Sequence, residues 1–249
     1  AIKYSGSKIK KMKGIVAMNV TMNRVAEKMK EERISTDRAL IRASKIVSWM
    51  FTPFFIPLLA FLILFLFSYL SMLPWEYKLI VLVMVYCFTI FIPTLAIYIF
   101  QKVNGFKLIE LNERRKRYVP FILTILSYIG CLLTMRRMSI PWYMTGIILT
   151  ALMISVICVI ANVKWKLSEH MAGCGGVVGG LISFSALFGY NPVWWLCLFI
   201  LISGVLGSAR ITLQHHTLGE VIVGFIVGFI CSLLILHPIS NILFRVFLF

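Results

Sequence analysis

Two short polar stretches hold three of the four histidines in this chain, and a third stretch is dense in arginine. SARITLQHHTLGE (208–220) carries Arg210, His215, His216 and Glu220. KWKLSEH (164–170) carries Lys164, Lys166, Ser168 and His170, and NERRKRYVP (112–120) carries Arg114 and Arg117, with Lys107 upstream. These residue types suit chemistry on a phosphate. Guanidinium groups give forked, charge-assisted hydrogen bonds to phosphate oxygens, and Ser168 adds a neutral donor. His216 and Glu220 are four apart, so on a helix they share a face. The carboxylate can then accept the Nδ1 proton and leave Nε2 free as a nucleophile, as an acid orients the histidine of a catalytic triad. His170 is available as general acid for a leaving alkoxide. Two histidines with separate tasks in a cationic cradle fit phosphoryl transfer through a phosphohistidine. No carboxylate cluster suggests a required metal, and no cofactor is expected.

The elements that must position these groups are apolar helices. The chain has 249 residues, 60% of them hydrophobic and 14% charged, with a mean hydropathy of +0.94. A soluble domain is about 45–50% apolar and about 25% charged. The excess lies in runs of about 20 residues, the length that crosses a ~30 Å hydrocarbon core as a helix. The expected fold class is therefore all-α, a polytopic membrane protein of six to seven transmembrane helices. The runs fall near 49–72, 79–100, 119–135, 141–163, 171–190, 193–208 and 217–236. The short third run is expected to pair with the fourth, as a partial hairpin at least. Pro53, Pro57 and Pro93 lie within the first two, where kinks are tolerable if neighbours satisfy the freed carbonyls.

Residues 1–45 form a basic N-terminal segment, read equally as a solvated cytoplasmic tail or an interfacial helix; residues 46–249 form the transmembrane domain. The formal charge of +16 is met by anionic headgroups and by the cytoplasmic excess of Lys and Arg, so nucleic acid is not the expected partner. Sorting Lys and Arg by loop puts the tail, 101–118, 164–166 and Arg210 on the cytoplasmic side. Lys78, Arg136–Arg137 and Arg245 fall on the other. Seven spans bring all three polar stretches to one membrane face. The six cysteines lie inside apolar runs without CxxC pairing and read as buried hydrophobes. His237 reads as interfacial, and His215 as a residue pointing about 100° from His216 on a helix, hence structural or at a pocket rim. Gly176/Gly180 and Gly224/Gly228 are GxxxG pairs that predict tight helix contacts; oligomeric state is left open.

KLSEH and ARITLQHHTLGE resemble the second and third signatures of the type 2 phosphatidic acid phosphatase (PAP2) superfamily, roughly PSGH and SR-x5-H-x3-D. Arg210-x5-His216-x3-Glu220 keeps the third spacing, with Ala209 inserted after Ser208 and Glu for Asp. In the second, Ser168 and His170 match, while Leu167 and Glu169 replace Pro and Gly. For the first signature, K-x6-RP, Lys107 with Arg114 and Arg117 with Val119–Pro120 are alternative alignments. The resemblance implies a PAP2-like helical core in which His216 is the nucleophile, Glu220 orients it and His170 protonates the leaving group. Arg210, Ser168, and Lys166 or Lys164 bind phosphate, with Arg114, Arg117 or Lys107 completing the cradle. The implied activity is metal-independent hydrolysis of a phospholipid phosphate or an isoprenyl phosphate or diphosphate, near the cytoplasmic face of a bacterial inner membrane. Two alternatives stay open: a phosphotransferase on the same chemistry, and a catalytically inactive lipid-binding or transport protein.

Overall fold

The computed structural model describes residues 29–30, 35–67, 69–104 and 118–239. Ala1–Ala43 and Ser44–Phe249 are separate compact units. In the first, residues 29–30 and 35–43 are helical and exposed. The second is the apolar part of the chain. After helical residues 44–50, it contains α1 (Phe55–Phe67), a 3-10 turn (Tyr69–Met72), α2 (Trp75–Tyr86), a π segment (Cys87–Phe91), α3 (Ile92–Asn104), α4 (Tyr118–Arg137), α5 (Trp142–Ala161), α6 (Glu169–Phe188), α7 (Val193–Thr212) and α8 (Leu218–Leu236).

No strand occurs among the described residues. Helices are the expected answer to an apolar solvent, because each backbone donor and acceptor is satisfied within its own segment. Among the described residues six helical spans are long and apolar enough to cross a membrane: Trp75–Val103, Tyr118–Arg137, Trp142–Ala161, Glu169–Phe188, Val193–Thr212 and Leu218–Leu236. A seventh results if the broken pair Ser35–Met50 and Phe55–Leu66 counts as one. The protein is a polytopic helical membrane protein.

The prolines act as the sequence predicts. The helix through residue 50 stops before Pro53 and restarts at Phe55, whose N–H bonds Thr52 O at 3.0 Å. Pro93 follows the π segment. In that register residue 93 would donate to the carbonyl five residues back, but proline has no N–H. Phe88 O is that carbonyl, and the Ser127 hydroxyl of α4 donates to it instead.

The run expected to be short is a full 20-residue span, Tyr118–Arg137. Arg136 and Arg137 sit in its last turn, where cations favour the carbonyl end of a helix. A tight turn through Ser139 at φ 53° joins it to α5, so the hairpin spans the bilayer depth at full length.

The tightest packing is between α6 and α8. A Cβ on Gly179 would lie 2.7 Å from Phe229 O, and one on Gly224 would lie 2.8 Å from Ser168 O. Gly175 meets the Phe225 carbonyl and Gly228 the Ala172 carbonyl with no room for a Cβ. Gly224/Gly228 is the pair expected from the sequence. It packs on the α6 backbone at Ser168 and Ala172, while Gly175 and Gly179 of α6 receive the Phe225 and Phe229 carbonyls of α8; Gly176 and Gly180 have the side-chain ends of Ile154, Ser232 and Leu236 nearest them.

Two apolar clusters mark the bundle's ends. Met135, Ile140, Met144, Phe184 and Leu236 belong to one. Phe121 in the first turn of α4, Cys158 in the last turn of α5, Leu167 and Ala172 belong to the other. The α5–α6 loop and the start of α4 therefore lie at the same end.

Candidate functional site

The glycine seam places the site. Because Gly224 admits the backbone of Ser168, the start of α6 docks on the start of α8, and Ser168 N–H donates to Glu220 O at 3.3 Å. The loop carrying Lys166 and Ser168 is thereby held against the segment carrying His216 and Glu220.

That segment is a sharp reversal. The α7 helix ends with Arg210 in its last turn. Gln214 then takes φ 54°, while its N–H bonds Ile211 O at 2.8 Å and His215 N–H bonds Arg210 O at 3.2 Å. This is the Schellman closure, in which the left-handed position is ordinarily glycine. Next, Thr217 caps α8 and forms a capping box: Glu220 N–H donates to Thr217 Oγ1 at 3.4 Å, and Thr217 N–H to Glu220 Oε2 at 3.0 Å.

His216 consequently stands just outside α8, not one helical turn before Glu220 within it. The two still meet. His216 Nδ1 lies 3.0 Å from Lys166 O and 3.3 Å from Glu220 Oε2. Both partners are acceptors, so this geometry suits a proton on Nδ1. The closer partner is the backbone carbonyl, a contact with no signature in residue spacing. The imidazole side chain is only 2% exposed, so its orientation is set by these bonds. Glutamate at 220 also has a local explanation, since the box requires Glu or Gln at that position.

His215 lies among cations. Burial first, then the charges of Arg210, Lys166 and Lys45, push its pKa below the ordinary 6.5. The expected rim residue is half-buried and feels the charge of all three cations. Arg210 Nη1 donates to Ser48 Oγ at 2.8 Å, and Ser48 is itself buried. Lys45 and Ser48 were not read from the sequence as site residues. The small polar pair Ser44/Ser48, one helical turn apart and both buried, is the signal that could have found them.

Ser168 is fully buried at the N-cap of α6, yet its hydroxyl does not cap the helix and has no hydrogen-bond partner. A buried unsatisfied hydroxyl costs about 1–3 kcal/mol, so this one is suited to a ligand acceptor. His170 is half-buried in the first turn of the same helix, while Lys164 is exposed. Of the two lysines, Lys166 is the one that acts on His215. Arg114, Arg117 and Lys107 lie outside the described residues. Glu169 points into an apolar groove on the other side of α6. Among the described residues no three His, Cys, Asp or Glu side chains gather as a metal site.

The protein is thus a polytopic helical membrane protein in which Arg210, Lys166, His215 and His216 gather where the start of α6 docks on the start of α8. Comparison with protein-family models, curated proteins and solved structures finds no match for the chain.

Proposed function

We propose that the protein is a membrane-integral phosphatase that hydrolyses a lipid phosphate monoester or diphosphate through a phosphohistidine on His216. One observation carries the reading: the Nδ1 of a buried histidine is tied to two acceptors beside clustered cations and an unsatisfied hydroxyl. Nε2 attacks phosphorus as the bond to the leaving oxygen breaks, and His170 gives that oxygen a proton. Water then attacks the phosphohistidine, passing a proton back to His170, and releases inorganic phosphate. Arg210, Lys166 and the Ser168 hydroxyl offset the charge that builds on the phosphoryl oxygens. Glu220 and the Lys166 carbonyl steady the imidazole and the positive charge it acquires. On this reading the site lies at the cytoplasmic face of a bacterial inner membrane, and the excess of Lys and Arg at this end supports the cytoplasmic side.

The test is phosphate release by purified full-length protein from a panel of lipid phosphates in EDTA. Wild type should release phosphate, and His216→Ala should lose at least ~10³-fold while eluting and melting like wild type. Equal release by the two would sink the nucleophile assignment. Cysteines placed singly at 166 and 212 should label from the cytoplasmic side.

A further inference from the structure

Residues 44–50 are helical, and Phe51 N–H extends the turn by donating to Val47 O at 3.2 Å. Ser44, Val47, Ser48 and Phe51 recur at the spacing that keeps one helical face. That face divides by chemistry. Val47 and Phe51 pack against a cluster of Met171 and Cys174 from α6, Leu206 from α7 and Val221 from α8. Ser44 and Ser48, on the same face, are buried. The apolar pair docks the segment on three helices of the bundle, and Ser48 Oγ there accepts from Arg210 Nη1 at 2.8 Å. Alanine is the better helix former at a buried helical position, so the serine is explained by the bond it makes.

Arg210 is held at both ends. Its carbonyl accepts from His215 N–H at 3.2 Å, which ties its backbone to the turn, and Ser48 fixes its guanidinium. A guanidinium carries five N–H donors, so it can keep the Ser48 bond while it grips an oxyanion. A second residue of the segment reaches the same place: the charge of Lys45 acts on His215 together with those of Arg210 and Lys166. A long side chain ordered before its ligand arrives does not lose that freedom on binding. Resting on the phosphatase reading above, we infer that residues 44–50 belong to the anion site, with Ser48 as the positioning residue that sets the Arg210 guanidinium in place for phosphate.

The test is a double-mutant cycle on full-length protein. Ser48→Ala should lower kcat/KM on the best lipid phosphate of the panel by about three- to tenfold, and weaken binding of inorganic phosphate in equilibrium dialysis by the same factor. In an Arg210→Ala background the same change should cost less than about twofold, because the hydroxyl has nothing left to position. Equal losses in the two backgrounds overturn the inference, since a merely structural serine would act in both. Ser48→Thr keeps the hydroxyl and should stay within about twofold of wild type, while Ser48→Val, of nearly the same volume, should fall with Ser48→Ala. Threonine no better than valine also overturns it. Coupled phosphate binding without hydrolysis of any lipid phosphate would instead reject the phosphatase reading and leave the role of Ser48 standing. Hydrolysis with additive losses does the reverse, and wild type that neither binds phosphate nor hydrolyses overturns both. Should Ser48→Ala not fold, the threonine and valine variants still decide.

Discussion

The two faces of α6 use the same amino acid to opposite ends. Toward α8, Gly175 and Gly179 bring backbone against backbone, with carbonyl oxygens where a side chain would stand. Elsewhere on α6, Gly173 meets the Ile56 side chain of α1, Gly176 first meets the end of Ile154 on α5, and Gly180 meets the side chains of Ser232 and Leu236 on α8; all three line a groove. Glycine on the first face removes the space between helices; on the second it preserves space. The candidate site sits at the end of the seam, where position must be held.

Breaking the seam should have the largest effect. Gly228→Leu drives a side chain into the Ala172 carbonyl, costing upward of ~3 kcal/mol; we expect no monodisperse protein in detergent and no activity. Gly176→Ala on the other face meets the flexible end of Ile154 at 3.3 Å, and a melt should place it within ~1 kcal/mol of wild type. At the end of the seam the expected loss is in rate, not fold. Arg210→Ala should reduce kcat/KM for phosphate release by roughly 10²-fold, the scale of a charge-assisted bidentate contact, with folding retained. Glu220→Gln keeps the capping box and removes the charge near Nδ1. Its kcat should fall about tenfold with KM and Tm nearly unchanged; a comparable fall in Tm would make Glu220 only a helix cap.

Smaller effects test the turn between α7 and α8. His215 has a depressed pKa because its surroundings disfavour charge. Its contribution to stability is present above the unfolded value of 6.5 and is lost as pH falls through the lower folded value. A thermal melt should therefore weaken as pH falls from 6.5 toward the folded value, and His215→Gln should flatten this part of the profile. The least change belongs to Gln214→Gly. Relief of a left-handed non-glycine residue is worth ~1 kcal/mol or so, partly offset by the entropy glycine adds to the unfolded chain. Tm should rise slightly or stay level, with phosphate release unaltered.

Much of this was legible in the sequence. Run lengths placed the spans, and counting them brought the α5–α6 and α7–α8 loops to one end. The prolines announced the breaks near 53 and 93. Spacing singled out Arg210, His216 and Glu220 because residues near in sequence stay near in space. What spacing could not supply was the contact between elements. The Lys166 carbonyl on His216 and the Ser48 hydroxyl on Arg210 are 50 and 162 residues distant in sequence. The helical reading of His216 also failed, because a capping box starts α8 one residue later. A GxxxG pattern likewise marks a helix as able to pack closely without naming the face: α6 carries glycines at 173, 175, 176, 179 and 180, and only backbone proximity separates seam from groove.

The capping box has a kinetic consequence. Glu220 Oε2 accepts from Thr217 N–H and also faces His216 Nδ1, so one oxygen serves both the helix start and the imidazole. Fraying of the first turn of α8 costs the ring its carboxylate partner and leaves the Lys166 carbonyl to hold it. Local opening there, followed by amide hydrogen exchange at Glu220 and Val221, would measure how often His216 is out of position. A ligand that gathers Arg210, Lys166 and Ser168 should slow that exchange before any bond is broken.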